Sequence, residues 1–446
     1  MNHGPLNFEN FQSAISSIRP AGRHANYCRT GGAKRVDMYR ELEKCRVCGG
    51  RSLNTVLSLG EQHLTGVFPR SVDDIVTKGP LDLAFCSGCS LLQMRHSYNP
   101  EEMYGDNYGY RSGLNASMVR HLQQKIRSIE TLVRPEPGSL VIDIGSNDAT
   151  SLKAYAGTYQ RVGVDPTGEK FREFYDADIS LIADFFSASA IQASFPGRKA
   201  RIITSIAMFY DLEAPQEFVA DIERVLADDG LWHFEQSYMP SMLRTNSYDT
   251  ICHEHLEFYS LRVVKNIVEQ AGMRIVDVQM NAVNGGSFAV SACKQEGPFK
   301  SNEAVINWLL KQEDEMELSS LKPYEEFASR VFRHRKNLKE LIEALVRDGK
   351  TIVGYGASTK GNVLLQFCGI GPQHIKCIAD VNPDKFGAFT PGTNIPIVSE
   401  QEAREMRPDY FLVFPWHFKH GILEREREFS ERGGKFIFPL PEIEII

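Results

Sequence analysis

The chain has 446 residues, more than one hydrophobic core usually supports, so two or three domains are expected. Its 42% hydrophobic and 24% charged content is that of a globular protein, and no apolar run approaches the roughly 20 residues that span a bilayer. A formal net charge of −7 gives no reason to expect nucleic acid as a partner, and nothing points to a membrane.

Residues 1–44 are polar and lack the apolar core of a signal segment, so they read as a flexible extension and the protein as cytoplasmic. Four of the nine cysteines form two Cys-x-x-Cys turns, Cys45 with Cys48 and Cys86 with Cys89. In a reducing compartment such pairs argue for metal rather than disulfides. Each turn can present two thiolates to one tetrahedral ion, and the flanks "CRVCGG" and "CSGCS" are knuckle-like. Four thiolates leave no open coordination position, so zinc here would be structural; two redox or incidental pairs are the competing reading. Residues 45–110 are assigned to this zinc-binding domain.

Residues 111–300 alternate short apolar strands with helical stretches, the pattern of a doubly wound α/β sheet. "SLVIDIGSND" is a strand entering a glycine turn, with a helix from about Thr150, and "QRVGVDP" is a second strand ending at Asp165. "ISLIAD", "RIITSIAMFYD" and "GLWHFEQS" supply three more. The last two, "MRIVDVQM" and "SFAVSACK", have only a short link and should form an antiparallel edge, as in methyltransferase-type sheets. Gly145 lets a ligand approach the backbone, and Asp165, twenty residues on, can accept ribose hydroxyls. A dinucleotide would need further glycines where Asn147 and Ala149 stand, and Asp148 would repel phosphates. The turn therefore suits a ribosyl ligand without phosphates, such as S-adenosylmethionine. Asp143, Gly145, Ser146, Asn147, Asp165, and Asp184 with Phe185 past the third strand are its candidate contacts. An ordinary strand–turn–helix is the alternative.

Residues 301–446 begin with a charged helical connector, interrupted near Pro323, and continue as a second, Rossmann-like α/β unit. In its turn "VGYGASTKGN", Gly356, Ser358, Lys360 and Asn362 at a helix start form a seat for a diphosphate. A decayed dinucleotide site with Asp380 as the ribose acid is equally open.

Between these units, "YDTICHEHLEFYSL" packs His253, Glu254, His255 and Glu257 into a few residues after the fifth strand, at the sheet edge where ligands bind. The spacing is not that of a helical zinc protease. A polar loop with one packed and one solvated histidine is the bland reading; a histidine base oriented by a glutamate is the functional one.

The two cysteine turns, "DIGSND", "YDTICHEHLEFYSL", "NGGSFAV" and "GYGASTKGN" occur in the order seen in the deoxysugar C-methyltransferases of the tylosin and novobiocin pathways, and from residue 45 onward the chain resembles that family. The resemblance implies a class I methyltransferase sheet flanked by an N-terminal zinc lobe and a C-terminal Rossmann-like lobe. It further implies a nucleotide-linked 4-keto-deoxysugar as substrate, methylated at C-3. In that mechanism His255 is the base that removes the proton α to the ketone, Glu254 orients or relays, and His253 lies nearby. Tyr108, Tyr110 and Ser112 resemble an aromatic segment closing over the cofactor, or form a packed linker; Asn284, Gly286 and Ser287 form a sugar-binding turn or a hairpin. Two positions depart from the family: Cys252 replaces a tyrosine, and Phe209 and Tyr210 stand where a histidine is expected. Tyr210 or Tyr259 can supply a replacement hydroxyl, so Tyr210, Cys252 and Tyr259 are candidate substrate contacts. O-methylation or a non-sugar acceptor, a nicotinamide-dependent enzyme using the C-terminal turn, and a non-catalytic nucleotide-sugar-binding module are the alternatives. Monomer and dimer are both open.

Overall fold

The computed structural model describes residues 39–104 and 111–446. Tyr108, Tyr110, Cys28 and all but the end of the expected N-terminal extension lie outside these residues. The N-terminal region contributes β1 (Tyr39–Glu41), β2 (Leu53–His63), β3 (Lys78–Cys86), β4 (Leu92–Met94) and β5 (His96–Tyr98), with Cys86 to Cys89 forming the β3–β4 turn. Ser90 closes that turn at φ 64.

The central region supplies β6 (Leu140–Ile144), β7 (Gln160–Val164), β8 (Ile179–Ile182), β9 (Ala200–Ile206), β10 (Leu226–Ser237), β11 (Glu257–Phe258), β12 (Met273–Asn281) and β13 (Ser287–Lys294). Seven of these form one sheet in the order β12-β13-β10-β9-β6-β7-β8. β6 to β10 run parallel, and β13 lies antiparallel between β10 and β12. This is the class I methyltransferase order. The expected antiparallel pair is present, but β12 takes the edge and the later β13 is inserted inside. β6 is buried at every residue, as a parallel strand covered on both faces must be.

Flanking helices bury one stripe each. Pro215 starts the helix Pro215–Val225, which buries Phe218, Val219, Ile222 and Val225. Ser260 caps Leu261–Gln270, whose Leu261, Val263, Val264, Ile267 and Val268 face inward. Each such side chain contributes about 1.5–3 kcal/mol on burial. The helix expected from about Thr150 is not formed. Asn147 and Ala149 adopt positive φ, and the short path to β7 leaves room only for a 3₁₀ turn at Leu152–Ala154.

The helices Glu303–Glu315 and Lys322–Arg347 form the connector, and Pro323 sits in the first turn of the second, where no amide partner is needed. β14 (Ile352–Tyr355), β15 (Ile378–Asp380), β16 (Ile397–Ser399), β17 (Tyr410–Val413), β18 (Lys435–Phe438) and β19 (Glu444–Ile445) follow. They form a second sheet in the order β16-β15-β14-β17-β18-β19, parallel except for β19. Among the described residues no helix is long and apolar enough to cross a membrane.

One pairing crosses the whole N-terminal half. β11, two residues after His255, joins β4, so that the zinc-lobe sheet reads β11-β4-β3-β2.

Candidate active site

The four thiols of Cys45, Cys48, Cys86 and Cys89 all lie within 4.8 Å of one another. Cys45 Sγ is 3.5 Å from Cys89 Sγ and Cys48 Sγ is 3.5 Å from Cys86 Sγ. An all-sulfur set with this closeness fits tetrahedral zinc, and no fifth donor from the described residues joins it.

At the carboxyl end of β6, Gly145 takes φ 71, and a Cβ there would fall 3.2 Å from Met208. The loop beyond it is pinned by its own polar groups. Asn147 N–H donates to Asp165 Oδ2 at 2.7 Å, while Thr167 N–H and Oγ1 engage Asp165 Oδ1 at 2.7 and 2.6 Å. Ser146 Oγ and Tyr175 Oη lie 2.8 Å apart, and Tyr175 donates to Asn147 O at 3.0 Å. Ser112 N–H donates to Asn147 Oδ1 at 3.0 Å, so Ser112 stands beside this loop. Asp148 is held by Gly113 N–H at 2.9 Å, with Arg111 3.9 Å away. Asp143 points into the core, its Oδ1 accepting from Thr204 at 2.5 Å; burial pushes its pKa up to about 7. Asp184 and Phe185 follow the sheet-edge strand β8, and Phe185 is exposed. The central position of β6 puts the loop at the switch point of the sheet, where open α/β folds bind ligands.

From Met208, packed at Gly145, the chain reaches the second group in two residues. The Tyr210 ring meets His255 edge-on, centroids 4.4 Å apart, and both line a small cavity with Ser237, Met239, Thr250 and Phe258. Thr250 O lies 2.8 Å from His255 Nδ1. A carbonyl only accepts, so Nδ1 carries the proton and Nε2 keeps its lone pair. Burial, then the charge of Lys360, brings the His255 pKa down to about 4, so the ring is neutral at pH 7. His253 is fully buried, meets Tyr98 edge-on at 4.6 Å, and is pushed down to about 3 by burial. Glu254 hydrogen-bonds the Cys252 thiol, and burial raises its pKa. Its approach needs Gly66, since a Cβ there would lie 2.2 Å from Glu254 Oε1.

Phe209 belongs to the core, stacked on Tyr259 at 5.2 Å, so it does not reach the cavity. The Tyr259 hydroxyl is buried near Glu257 and Arg46; Glu257 lines the His255 cavity, but Tyr259 does not. Of the two tyrosines, only Tyr210 meets the imidazole.

The C-terminal lobe reaches in with Lys360 and Trp416. Lys360 Nζ donates to Asn284 O at 3.0 Å; burial lowers its pKa against the pull of Asp249 and Cys252. Asp249 is fully buried and accepts from Trp416 Nε1 at 2.9 Å. The other turn residues are engaged within the chain. Ser358 Oγ caps Gly361 N–H at 3.0 Å, and Asn362 donates to Thr65 O at 2.7 Å. Gly356, at φ 85, lies against Pro415. Asp380 pairs with Lys385 at 3.7 Å, and Lys385 also donates to Ala357 O at 2.7 Å. Gly286 takes φ 123, and Ser287 Oγ donates to Val283 O at 2.9 Å. In the sequence Trp416 and His417 read as a base- or ribose-stacking pair or as a core strand end, whereas Asp249 and the buried cluster of Glu235 with His121, Lys125 and Asn281 at 2.5, 2.9 and 2.8 Å were not legible as site residues; no motif marks them.

Three family models match in succession: a zinc binding domain over residues 45–104, a methyltransferase domain over 118–278, and a C-methyltransferase C-terminal domain over 282–441. The C-methyltransferase NovU of Streptomyces niveus is 34% identical over 415 residues, 92% of this chain and 98% of its own length. Among solved structures, an S-adenosylmethionine-dependent methyltransferase from Clostridium acetobutylicum ATCC 824 aligns over 40% of this chain and 92% of its own, with 9% identity and a TM-score of 0.31. The magnesium protoporphyrin IX methyltransferase ChlM of Synechocystis PCC 6803 aligns over 43% and 91%, with 15% identity and a TM-score of 0.30. The chain belongs to the C-methyltransferase family that includes NovU, and it is an S-adenosylmethionine-dependent methyltransferase with a zinc-binding domain.

Proposed function

We propose that this C-methyltransferase acts in the cytoplasm on a nucleotide-linked 4-keto-deoxysugar and methylates the carbon α to the ketone, at C-3. The carrying observation is His255: neutral, with its Nδ1 proton committed to Thr250 O, and two short steps from the Gly145 loop. When bound, S-adenosylmethionine supplies an electrophilic methyl group. Asp165, Asn147, Ser146, Gly145 and Ser112 would hold it, with Asp143, Asp184 and Phe185 nearby; Tyr108 and Tyr110 are assigned to it from the sequence resemblance alone.

In this reading His255 Nε2 takes the C-3 proton, which the 4-keto group acidifies. Glu254, its pKa raised by burial, relays or orients, and His253 supports the turn from the core. Tyr210 lies where a hydroxyl can steady the enolate oxygen. Holding the acceptor carbon in line with the methyl supplies much of the rate. We assign Cys252, Asn284, Gly286 and Ser287 to the sugar side and leave Tyr259, away from the cavity, out of it. Lys360, Gly356, Ser358, Asn362 and Asp380 line the diphosphate and nucleotide side. We read residues 45–110 as the zinc domain, 111–300 as the methyltransferase domain and 301–446 as connector and nucleotide-sugar lobe.

The test is incubation with a nucleotide-linked 4-keto-6-deoxysugar in deuterated buffer, with and without S-adenosylmethionine, read by mass and NMR. Deuterium at C-3 without cofactor and a carbon-bound methyl with it are expected, and both are lost in His255→Asn. A methyl on oxygen, or no exchange at C-3 across several nucleotide sugars, overturns the proposal.

A further inference from the structure

Arg46 stands between Cys45 and Cys48, yet its side chain turns inward and is only 2% exposed. Nη1 donates to Met94 O at 2.6 Å, and Nη2 donates to His96 O at 3.2 Å and to Ser97 Oγ at 2.9 Å. These contacts grip the end of β4 and the start of β5. Nε lies 3.6 Å from Glu257 Oε1 and 3.5 Å from Glu213 Oε2. Glu257 is the first residue of β11 and its side chain has no exposure. The Arg46 amide adds a third tie, donating to Gln93 Oε1 at 3.0 Å.

β4 and β11 are held to each other at the same place. Glu257 pairs with Gln93, Phe258 with Leu92, and Met94 N–H donates to Leu256 O at 2.8 Å. β4 itself leaves the Cys86–Cys89 turn, where Cys86 N–H donates to Leu91 O at 2.8 Å. Two routes therefore run from the cysteine cluster to residues 253–257: through the hairpin, and through the guanidinium. A planar, five-donor group suits this better than any other side chain, because it can satisfy backbone carbonyls on one strand while facing a carboxylate on the next.

We propose that Arg46 is a positioning residue for methyl transfer, carrying the geometry of the cysteine knuckle across to β11 and so fixing where His255 sits. This rests on the reading of His255 as the base. The zinc lobe is then a jig for the catalytic turn as well as a fold element.

The experiment uses full-length, zinc-loaded enzyme and the variants Arg46→Met, Arg46→Lys, Glu257→Gln and Arg46→Met/Glu257→Gln, with His255→Asn as a control. Zinc content is measured by metal analysis. Hydrogen exchange is followed in peptides over residues 250–260 and 140–150. Methyl transfer is followed with labelled S-adenosylmethionine and dTDP-4-keto-6-deoxyglucose. In Arg46→Met, zinc is retained and exchange over 250–260 rises about tenfold or more against 140–150. kcat falls by about tenfold while KM for the cofactor stays. Arg46→Lys falls between, because it restores the charge without the fork. The double variant is no worse than Arg46→Met, since Glu257→Gln removes only the Arg46–Glu257 contact, which Arg46→Met has already removed. Unchanged exchange over 250–260, loss of zinc in Arg46→Met, or additive effects in the double variant overturn the proposal. If Arg46→Met does not fold, Arg46→Lys and Glu257→Gln decide by the same exchange readout. A fully active His255→Asn sinks the base assignment, while the exchange data still judge Arg46 on their own.

Discussion

A histidine base is useful only while neutral, so if His255 is the base, as proposed, its environment sets the acid limit of the reaction. An unperturbed imidazole titrates near 6.5 and at pH 5.5 would be only about one-tenth neutral. With its pKa at about 4, first through burial and then through the charge of Lys360, His255 is more than nine-tenths neutral there. The sign is clear: lowering the pKa extends activity toward acid. Removing the ammonium in Lys360→Met should move the His255 limb upward by about one unit or less, because burial, the larger cause, remains. The assay is kcat/KM for methyl transfer from pH 4.5 to 8, paired with ¹⁵N chemical shifts of His255. The second readout is needed because Asp143, pushed up to about 7 by burial, can impose a limb of its own near neutrality. A His255 ring that titrates at 6.5 or above in the native enzyme, or does not respond to Lys360→Met, refutes the reasoning.

Three further outcomes can be checked. Gly66→Ala places a Cβ 2.2 Å from Glu254 Oε1, so the carboxylate must move; kcat should drop about tenfold while thermal stability, read by calorimetry, changes by about 1 kcal/mol or less. Trp416→Phe removes the donor to buried Asp249 and should destabilise the protein by about 1–3 kcal/mol in urea unfolding, with a visible loss of activity. Cys86→Ser breaks the four-thiol set, and metal analysis should show zinc lost together with a lower melting temperature.

Much of the central sheet was legible because parallel strands buried on both faces, such as "LVIDI", leave apolar runs bounded by turn residues. The cysteine turns were legible for a different reason: their spacing is set by one tetrahedral ion. The short turn after Gly145 was misread as a helix, since composition does not show how little chain remains before β7. The position of β13 inside the sheet was not legible either, because two adjacent strands look alike whichever takes the edge. The site was readable only where a motif is local. His255 stands in one, but Asp249, Trp416 and Lys360 come together across 167 residues, and Arg46 meets β11 across more than 200. Such pairings leave no periodicity to detect. Tyr259 shows the converse limit: proximity in sequence to His255 did not bring its hydroxyl to the same cavity.

The recruitment of β11 into the N-terminal sheet also orders events during synthesis. When the ribosome has made residue 104, the zinc lobe has β2, β3 and β4 but not the strand that covers β4. Until Glu257 and Phe258 emerge, β4 is an open edge with unpaired amides and carbonyls, a template for pairing with another chain. The intervening loop must close over roughly 160 residues, a non-local contact that forms late. A fragment ending before β11 can hold four thiols together yet should be prone to self-association, so the lobe that looks most like a detachable module in the sequence is not completed until residue 258 has been made.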